Sequence, residues 1–179
     1  MIDILCLDPN GIYLNINSYF CFQINKLEMT DHTHNILTEY SDLFCGIHLS
    51  GNSHDYSLKD IVLYLSAIED NYEIIPKFIN LRIDNRINNV INGSLLSDLL
   101  DFYRDYEIQF NIICNEYVNP IKTLVDYILF HESYGRFNIG LCLDLGSLVN
   151  KSIWLNKEIQ DGMGNYIHAI YHEGRLQIK

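Results

Sequence analysis

Polar side chains able to move protons or bind metal ions stand at or just beyond the ends of short apolar runs in this sequence. His48 lies near the end of the run 44–49, and Asp144 closes the run 138–144. Carboxylates and imidazoles act as general bases and as ligands of divalent ions. Each also has a structural interpretation, since Asp is common in turns after strands and a lone strand His is often a hydrogen-bonded structural residue. Comparable positions hold Asp84, Arg86, Asn115, Glu116 and His172.

Spacing limits what these candidates can do together. Asp84 and Arg86 either bind a polar substrate or form a solvated ion pair of little energetic weight. His168 and His172 are four residues apart, which in a strand separates their side chains by ~13 Å, too far to share one ion. The sequence contains no dinucleotide-binding GxGxxG, no phosphate-binding GK[ST] loop and no GxSxG nucleophile motif.

Short β-rich runs alternate with segments of helical period, which predicts repeated βα units and a mainly parallel sheet. In such folds the loops at the carboxyl ends of the strands carry the site, whether the sheet closes into a barrel or stays open. Ser57 with Asp60 predicts one helix start and Pro120 another, and helices are also expected after Ser94 and Ser152. The predicted strands are 2–7, 13–22, 44–49, 78–83, 110–114, 138–144 and 166–171.

The first 25 residues do not follow this alternation of strands and helices. Asp8-Pro9-Asn10-Gly11 is a turn-forming cluster between the first two apolar runs, and it predicts an N-terminal β-hairpin over residues 1–25. The βα units then occupy residues 44–175. A chain of 179 residues fits one core, so we predict a single α/β domain over residues 1–179.

The composition is that of a folded acidic protein. Hydrophobic residues make up 48% of the chain, charged residues 20%, and the net charge is −11. An acidic field repels phosphate backbones, which argues against nucleic acid as a partner. No apolar stretch reaches the ~18 residues that would predict a membrane-spanning helix. The five cysteines include no CxxC pair, and they favour reduced, buried thiols and a cytoplasmic location.

The segment 137–148, an apolar strand ending in Asp144 and followed by Leu145-Gly146, resembles the sixth-strand region of the xylose-isomerase-like TIM barrels, the superfamily of sugar phosphate isomerases/epimerases and endonuclease IV. Gly46-Ile47-His48 resembles that superfamily's strand with an early His ligand. Residues 110–115 and 166–175 resemble its strands that end in Glu-Asn and His-x-x-Asp. The resemblance covers roughly residues 44–175 and implies a TIM-barrel-like fold.

The resemblance also implies a site. It implies a divalent ion (Mn, Zn, Mg or Co) with Glu116 and Asp144 as catalytic groups and Asn115, beside Asp84 and Arg86, in contact with substrate. The implied metal ligands are His48, Glu116, Asp144 and His172. Several positions depart from the superfamily's pattern, which predicts a degraded site that holds no metal if the departures are complete. The departing residues are Cys114, Ser147, Tyr171 and Gly174.

Two functions follow from the resemblance and its departures. The first is a divergent sugar isomerase or epimerase that abstracts a proton beside a carbonyl of a small polyol or sugar, with a metal ion. The second is a catalytically inactive half-barrel that acts as a binding or interaction protein in a complex. A complete barrel typically takes ~250 residues, so we expect an incomplete or small barrel. A second copy of the chain or a partner chain would then cover the open strand edges.

Overall fold

The computed structural model describes residues 2–13, 15–50, 57–81, 93–114, 138–148 and 167–178, and these residues form a closed barrel. Its eight strands follow one another around the barrel in chain order. They are β1 (Ile2–Leu7), β2 (Phe20–Ile24), β3 (Phe44–Leu49), β4 (Phe78–Leu81), β5 (Gln109–Cys114), β6 (Ile139–Asp144), β7 (Ile167–His172) and β8 (Arg175–Ile178). The described helices are α1 (Asp31–Tyr40), α2 (Leu58–Tyr72), α3 (Gly93–Phe102) and the short α4 (Leu145–Leu148), with a 3₁₀ turn at Ser41–Leu43.

The barrel closes through a hairpin. Adjacent strands from β1 to β7 are parallel, whereas β8 is antiparallel to both of its neighbours, β7 and β1. Glu173 and Gly174 join β7 to β8 with φ values of 47° and 76°. Two central residues with positive φ are the mark of a type I′ turn, which suits a two-residue hairpin. The last strand therefore needs no connecting helix, and a short chain completes the barrel.

The small TIM-barrel-like fold predicted from the sequence is confirmed, and the incomplete barrel is wrong. The sequence interpretation missed β8, which has only four residues and two exposed polar ones. Since the described strands form a closed ring, they leave no open edge for a partner to cover. The half-barrel of the second function is wrong for the same reason, while a homodimer or partner chain stays an untested prediction.

The N-terminal hairpin is also wrong, because β1 and β2 are parallel, with Cys6 opposite Cys21. The turn that suggested it is present. The Gly11 backbone N–H donates to the Asp8 carbonyl at 2.9 Å. After this turn the chain must return to the amino end of the barrel before β2 begins at Phe20, and Ile16 is buried on the way. A turn signal alone does not distinguish a hairpin from such a return.

The sequence predicted some of the observed helix starts and not others. At the start of α2, the Asp60 backbone N–H donates to Ser57 Oγ and the Ser57 N–H donates to Asp60 Oδ2, as the sequence predicted. At the start of α1, which was not predicted from the sequence, Thr30 and Thr33 form a capping box. The helices predicted after Pro120 and Ser152 lie outside the described residues. No described helix is both long enough and apolar enough to cross a membrane.

Two apolar cores stabilise the barrel. The larger one includes Phe20, Phe22 and Ile47 of the strands together with Ile61 and Ile68 of α2, so it lies between the sheet and its helices. The second core receives one residue from each strand and therefore fills the barrel interior. These lumen residues are Ile4, Cys21, Cys45, Phe78, Ile113, Cys142, Ala169 and Leu176.

Candidate functional site

A row of polar side chains crosses one side of the barrel interior. On the successive strands β2 to β5, four polar residues are neighbours in the strand register: Gln23 lies beside His48, His48 beside Asn80, and Asn80 beside Asn111. Gln23, Asn80 and Asn111 each lie two residues from a lumen residue of the same strand, so they share its face. We call Gln23, His48, Asn80 and Asn111 the polar row. All but Gln23 are at least 97% buried.

A chain of hydrogen bonds, all donated in one direction, begins at Gln109 and runs through Asn111 and Asn80 of the polar row to His48. Gln109 Nε2 donates to Asn111 Oδ1 at 3.3 Å, and Asn111 Nδ2 donates to Asn80 Oδ1 at 2.9 Å. Asn80 Nδ2 then lies 3.2 Å from His48 Nδ1. An amide nitrogen only donates, so Nδ1 is the acceptor and the proton of the neutral imidazole sits on Nε2. The row thereby selects one tautomer of His48.

His48 is also held neutral. Burial lowers its pKa to about 4, although the negative charge of Asp144 acts in the opposite direction. A neutral imidazole with its proton on Nε2 is a hydrogen-bond donor at that atom. The structure therefore provides a neutral donor inside the barrel at physiological pH.

Tyr171 of β7 connects the opposite side of the barrel to the polar row. Its ring stacks on the His48 ring with centroids 4.7 Å apart and planes 23° apart. Its hydroxyl donates to Gln23 Oε1 at 3.1 Å. Burial raises the pKa of Tyr171, so the phenol is protonated and able to donate. Asp144 is the neighbour of Tyr171 in the β6–β7 register and is half-buried.

A cavity of about 540 Å³ opens at the carboxyl ends of β1 and β2. We call it the mouth cavity. Gln23 lines it and joins it to the polar row, and Cys6 lines it beside the lumen core. Its charged lining residues are Asp8, Glu28 and Lys26, two carboxylates against one ammonium. The remaining lining residues are Pro9, Asn10, Tyr13, Ile24, Asn25 and Thr30.

Gly140 marks the end of the polar row on β6, where it pairs with Asn111. A Cβ placed on Gly140 would lie 2.6 Å from His168 Cγ and 2.7 Å from Asn111 Oδ1. The missing side chain is what allows His168 and Asn111 to occupy this part of the barrel. The row depends on glycine here for space, since an added methyl group would have to displace one of them.

The structure brings some of the predicted site residues together and separates others. His48 and Asp144 lie on the same side of their strands as the lumen, near enough for the charge of Asp144 to affect the pKa of His48. His172 is exposed and follows Tyr171, whose side chain is inside, so it faces away from His48. The other predicted residues lie outside the described part of the chain: Asp84, Arg86, Asn115 and Glu116.

Sequence reasoning missed most of the polar row. Asn80 and Asn111 stand inside the buried runs FINL and QFNIIC, and an amide within such a run is the signal that could have identified them. Gln23 carries the same signal in FCFQI. Buried amides need hydrogen-bond partners, so amides on consecutive parallel strands are candidates for pairing with one another.

Two of the four implied metal ligands, His48 and His172, are not placed to bind one ion together, and Glu116 lies outside the described residues. Within the described ranges, no three His, Cys, Asp or Glu side chains are grouped so that they could hold an ion. His48 Nδ1 is engaged with Asn80, and His172 faces away. A metal ligand must offer a lone pair, and the tautomer of His48 leaves none available. We therefore assign no step of chemistry to a metal.

The comparisons with known proteins establish the fold. No protein-family model matches the sequence, and no curated protein does either. Among solved structures, the chain is similar to a crystal structure of D-allulose 3-epimerase from Methylomonas sp., with a TM-score of 0.55 and 14% sequence identity. The similarity covers 86% of this chain and 60% of the epimerase, so the chain spans less than two thirds of that protein's length. At this identity the similarity shows the fold alone, which is TIM-barrel-like.

Proposed function

We propose that this protein binds a small neutral sugar or polyol at the carboxyl end of its barrel and acts on it as a divergent epimerase or isomerase. The observation that carries the proposal is the mouth cavity, which joins the polar row through Gln23. Sites for small molecules combine a concave space with a few fixed polar groups. The fold shared with a sugar epimerase supports the same substrate class.

The charges of the mouth cavity favour a neutral ligand over a phosphorylated one. Phosphate sites use Arg, Lys or clustered backbone N–H groups. The cavity instead presents Asp8 and Glu28 with Lys26. A neutral polyhydroxy compound offers hydroxyl donors to these carboxylates and hydroxyl acceptors to the lysine, whereas a phosphate dianion would be repelled by two of the three charges.

The reaction class that fits these groups is proton transfer beside a carbonyl. Removing a proton from the carbon next to a carbonyl places negative charge on the carbonyl oxygen. A neutral imidazole with its proton on Nε2 can donate a hydrogen bond to that oxygen, and we propose this role for His48 once the substrate extends past Gln23, since His48 itself does not line the mouth cavity. Asp144 is proposed as the base, because it is half-buried at the end of β6 and its charge reaches both His48 and Tyr171. A role for Glu116 remains a prediction of the resemblance.

Deuterium exchange tests the proposal. Purified protein is incubated in D₂O with neutral ketoses and, separately, with their phosphate esters, and NMR follows loss of the proton beside the carbonyl. We expect exchange with a neutral ketose that is lost in Asp144→Asn and retained in Asp101→Asn, a change on the surface of α3. Exchange confined to phosphate esters would contradict the neutral substrate, and exchange unaffected by Asp144→Asn would contradict the base.

The alternative is a protein that binds such a compound without converting it. The engagement of His48 Nδ1 with Asn80 and the outward position of His172 favour it. Calorimetric titration with the same sugars separates the two functions, because binding without exchange supports the alternative and neither binding nor exchange contradicts both. Repeating the exchange with added Mn²⁺ and with a chelator tests the divalent ion: exchange that only Mn²⁺ restores would support the metal implied by the resemblance.

A further inference from the structure

Cys6 and Cys21 lie side by side inside the barrel, although the sequence separates them. They are directly paired on the parallel strands β1 and β2. The Cys21 thiol donates a weak hydrogen bond to Cys6 Sγ, and the two sulfurs are 3.5 Å apart. Disulfides join residues whose Cα atoms are ~4.4–6.8 Å apart, and neighbouring strands are spaced ~4.8 Å apart. A bond between these sulfurs is therefore compatible with the strand pairing.

The two thiols differ in access. Cys6 is partly exposed and lines the mouth cavity, so a small molecule in the cavity can reach its sulfur. Cys21 is fully buried. A reachable thiol next to a second thiol is the arrangement in which one sulfur is oxidised first and the other resolves it to a disulfide.

Two further thiols provide a contrast within the same barrel. Cys45 and Cys142 are both buried, and neither is among the residues that line the mouth cavity. The Cys45 thiol instead faces the Leu43 carbonyl oxygen at 3.7 Å. Oxidation should therefore begin at Cys6 and spare Cys45.

We propose that Cys6 and Cys21 form a redox-active dithiol site at the mouth cavity, whose oxidant is a small hydroperoxide. The Cys6 thiolate attacks the terminal oxygen of the hydroperoxide and the O–O bond breaks; the departing oxygen takes up the proton that the Cys6 thiol had released, so an alcohol or water leaves. Cys6 is then a sulfenic acid. Cys21 gives up its proton as its sulfur attacks the Cys6 sulfur, the S–O bond breaks, and water leaves. Two thiols are oxidised to one disulfide, and the peroxide is reduced.

The environment of Cys21 agrees with the order of these steps. Burial and the contact with Cys6 raise the pKa of Cys21 well above its usual value. The thiolate is the reacting form of cysteine, so Cys21 is a poor first nucleophile. It reacts when Cys6 has become an electrophile next to it.

Peptide mapping tests the site without any assumption about a sugar ligand. Residues 1–26 contain Cys6 and Cys21, no other cysteine, and no Lys or Arg before Lys26, so trypsin releases both thiols in one peptide. The folded chain is treated with one equivalent of hydrogen peroxide and then alkylated. We expect this peptide to lose two hydrogens and escape alkylation, at a rate at least about tenfold above oxidation of Cys45. Cleavage after Tyr13 should leave two fragments that separate only on reduction.

Variants identify the two roles. Cys21→Ser should leave a sulfenic acid on Cys6 that dimedone traps, and Cys45→Ser should form the disulfide at the unmodified rate. The proposal is overturned if the peptide 1–26 is still alkylated at both cysteines after the peroxide treatment, or if Cys45 is oxidised as fast as this pair. It is also overturned if the disulfide forms only after denaturation. The mapping on the unsubstituted chain decides the question even if a variant does not fold.

Discussion

The two sides of the barrel interior differ in the polarity of their buried side chains. Strands β2 to β5 carry the polar row, whose members are hydrogen-bonded along the sheet from Asn111 to His48. Strands β6 to β8 and β1 present the small or apolar side chains of Cys142, Ala169 and Leu176 and of Ile4. Asp144 of β6 and Tyr171 of β7 are polar side chains on this second side, and Tyr171 reaches across to the polar row.

This difference means that one side mainly contributes to the stability of the barrel, whereas the other fixes the orientation of His48. Apolar burial on the β6–β1 side stabilises the barrel without any requirement for orientation. Buried amides on the β2–β5 side gain little net free energy but cost ~1–3 kcal/mol each if a partner is removed. Their orientations are therefore fixed, and they fix His48 in turn. Substitutions on the two sides should accordingly affect different measurements, and the predictions below run from the largest expected effect to the smallest.

Leu176→Ala removes a fully buried side chain on the apolar side. We expect the free energy of unfolding to fall by about 2–5 kcal/mol, because the lost side chain leaves a cavity. Denaturant titration measures it. Leu63→Ala is the control, since Leu63 is 59% exposed on α2 and its loss should cost about 0.5 kcal/mol or less. Equal effects of the two changes would contradict the interior placement of Leu176.

Acidification should destabilise the polar side through His48. Its pKa is about 4 in the folded chain and 6.5 without the fold. Between these values the unfolded chain binds a proton that the folded chain does not, so stability is full above pH 6.5 and falls as the pH drops toward 4. The loss from this group reaches about 3 kcal/mol.

Variants attribute this loss to one imidazole. In denaturant titrations across that pH range, His48→Gln should flatten the pH dependence, and the exposed His172→Gln should leave it unchanged. A pH dependence that survives in His48→Gln would show that the buried neutral imidazole is not its source.

Gly140→Ala should destabilise the junction between the two sides. The added methyl group would lie 2.6 Å from His168 Cγ, and we expect a loss of about 1–3 kcal/mol from overpacking. Gly146→Ala is the matched control, because its Cβ would meet Asp144 Oδ1 at an ordinary 3.5 Å. If Gly140→Ala unfolds no more readily than Gly146→Ala, the close approach of His168 and Asn111 is wrong.

Tyr171→Phe should have the smallest effect on stability. It removes the hydroxyl that donates to Gln23 but keeps the ring on His48, so we expect a loss of about 1 kcal/mol. Sugar binding should weaken more clearly, since Gln23 lines the mouth cavity. Tyr19→Phe, at an exposed ring, is the control for both measurements. Unchanged sugar binding in Tyr171→Phe would show that the hydrogen bond between Tyr171 and Gln23 does not contribute to the binding site in the mouth cavity.

Much of the fold could be predicted from local pattern, and the failures have a common cause. Ile2–Leu7 and Phe44–Leu49 were predicted with their observed bounds because apolar runs flanked by polar residues define them. The direction of β2 and the existence of β8 depend on how the ring closes. A turn such as Asp8–Gly11 or Glu173-Gly174 does not encode that closure by itself.

The sequence predicted site residues only where an ionisable side chain stands at the end of an apolar run. His48 and Asp144 were identified there, and the structure places both near Tyr171. Asn80 and Asn111 were missed because their pairing arises from the register of β4 and β5, which the sequence alone does not reveal. The contact between Cys6 and Cys21 was missed for the same reason, since no spacing motif links them.

Histidine NMR during a sugar titration tests the central claim most directly, because it observes the imidazole that the polar row orients. The ¹⁵N–¹H spectrum is recorded at neutral pH, and the His48 signals are assigned by their absence in His48→Gln. We predict a neutral ring protonated at Nε2, whose signals shift as a neutral ketose is added. A ring protonated at Nδ1, or signals unchanged by every neutral sugar up to millimolar concentration, would contradict the account.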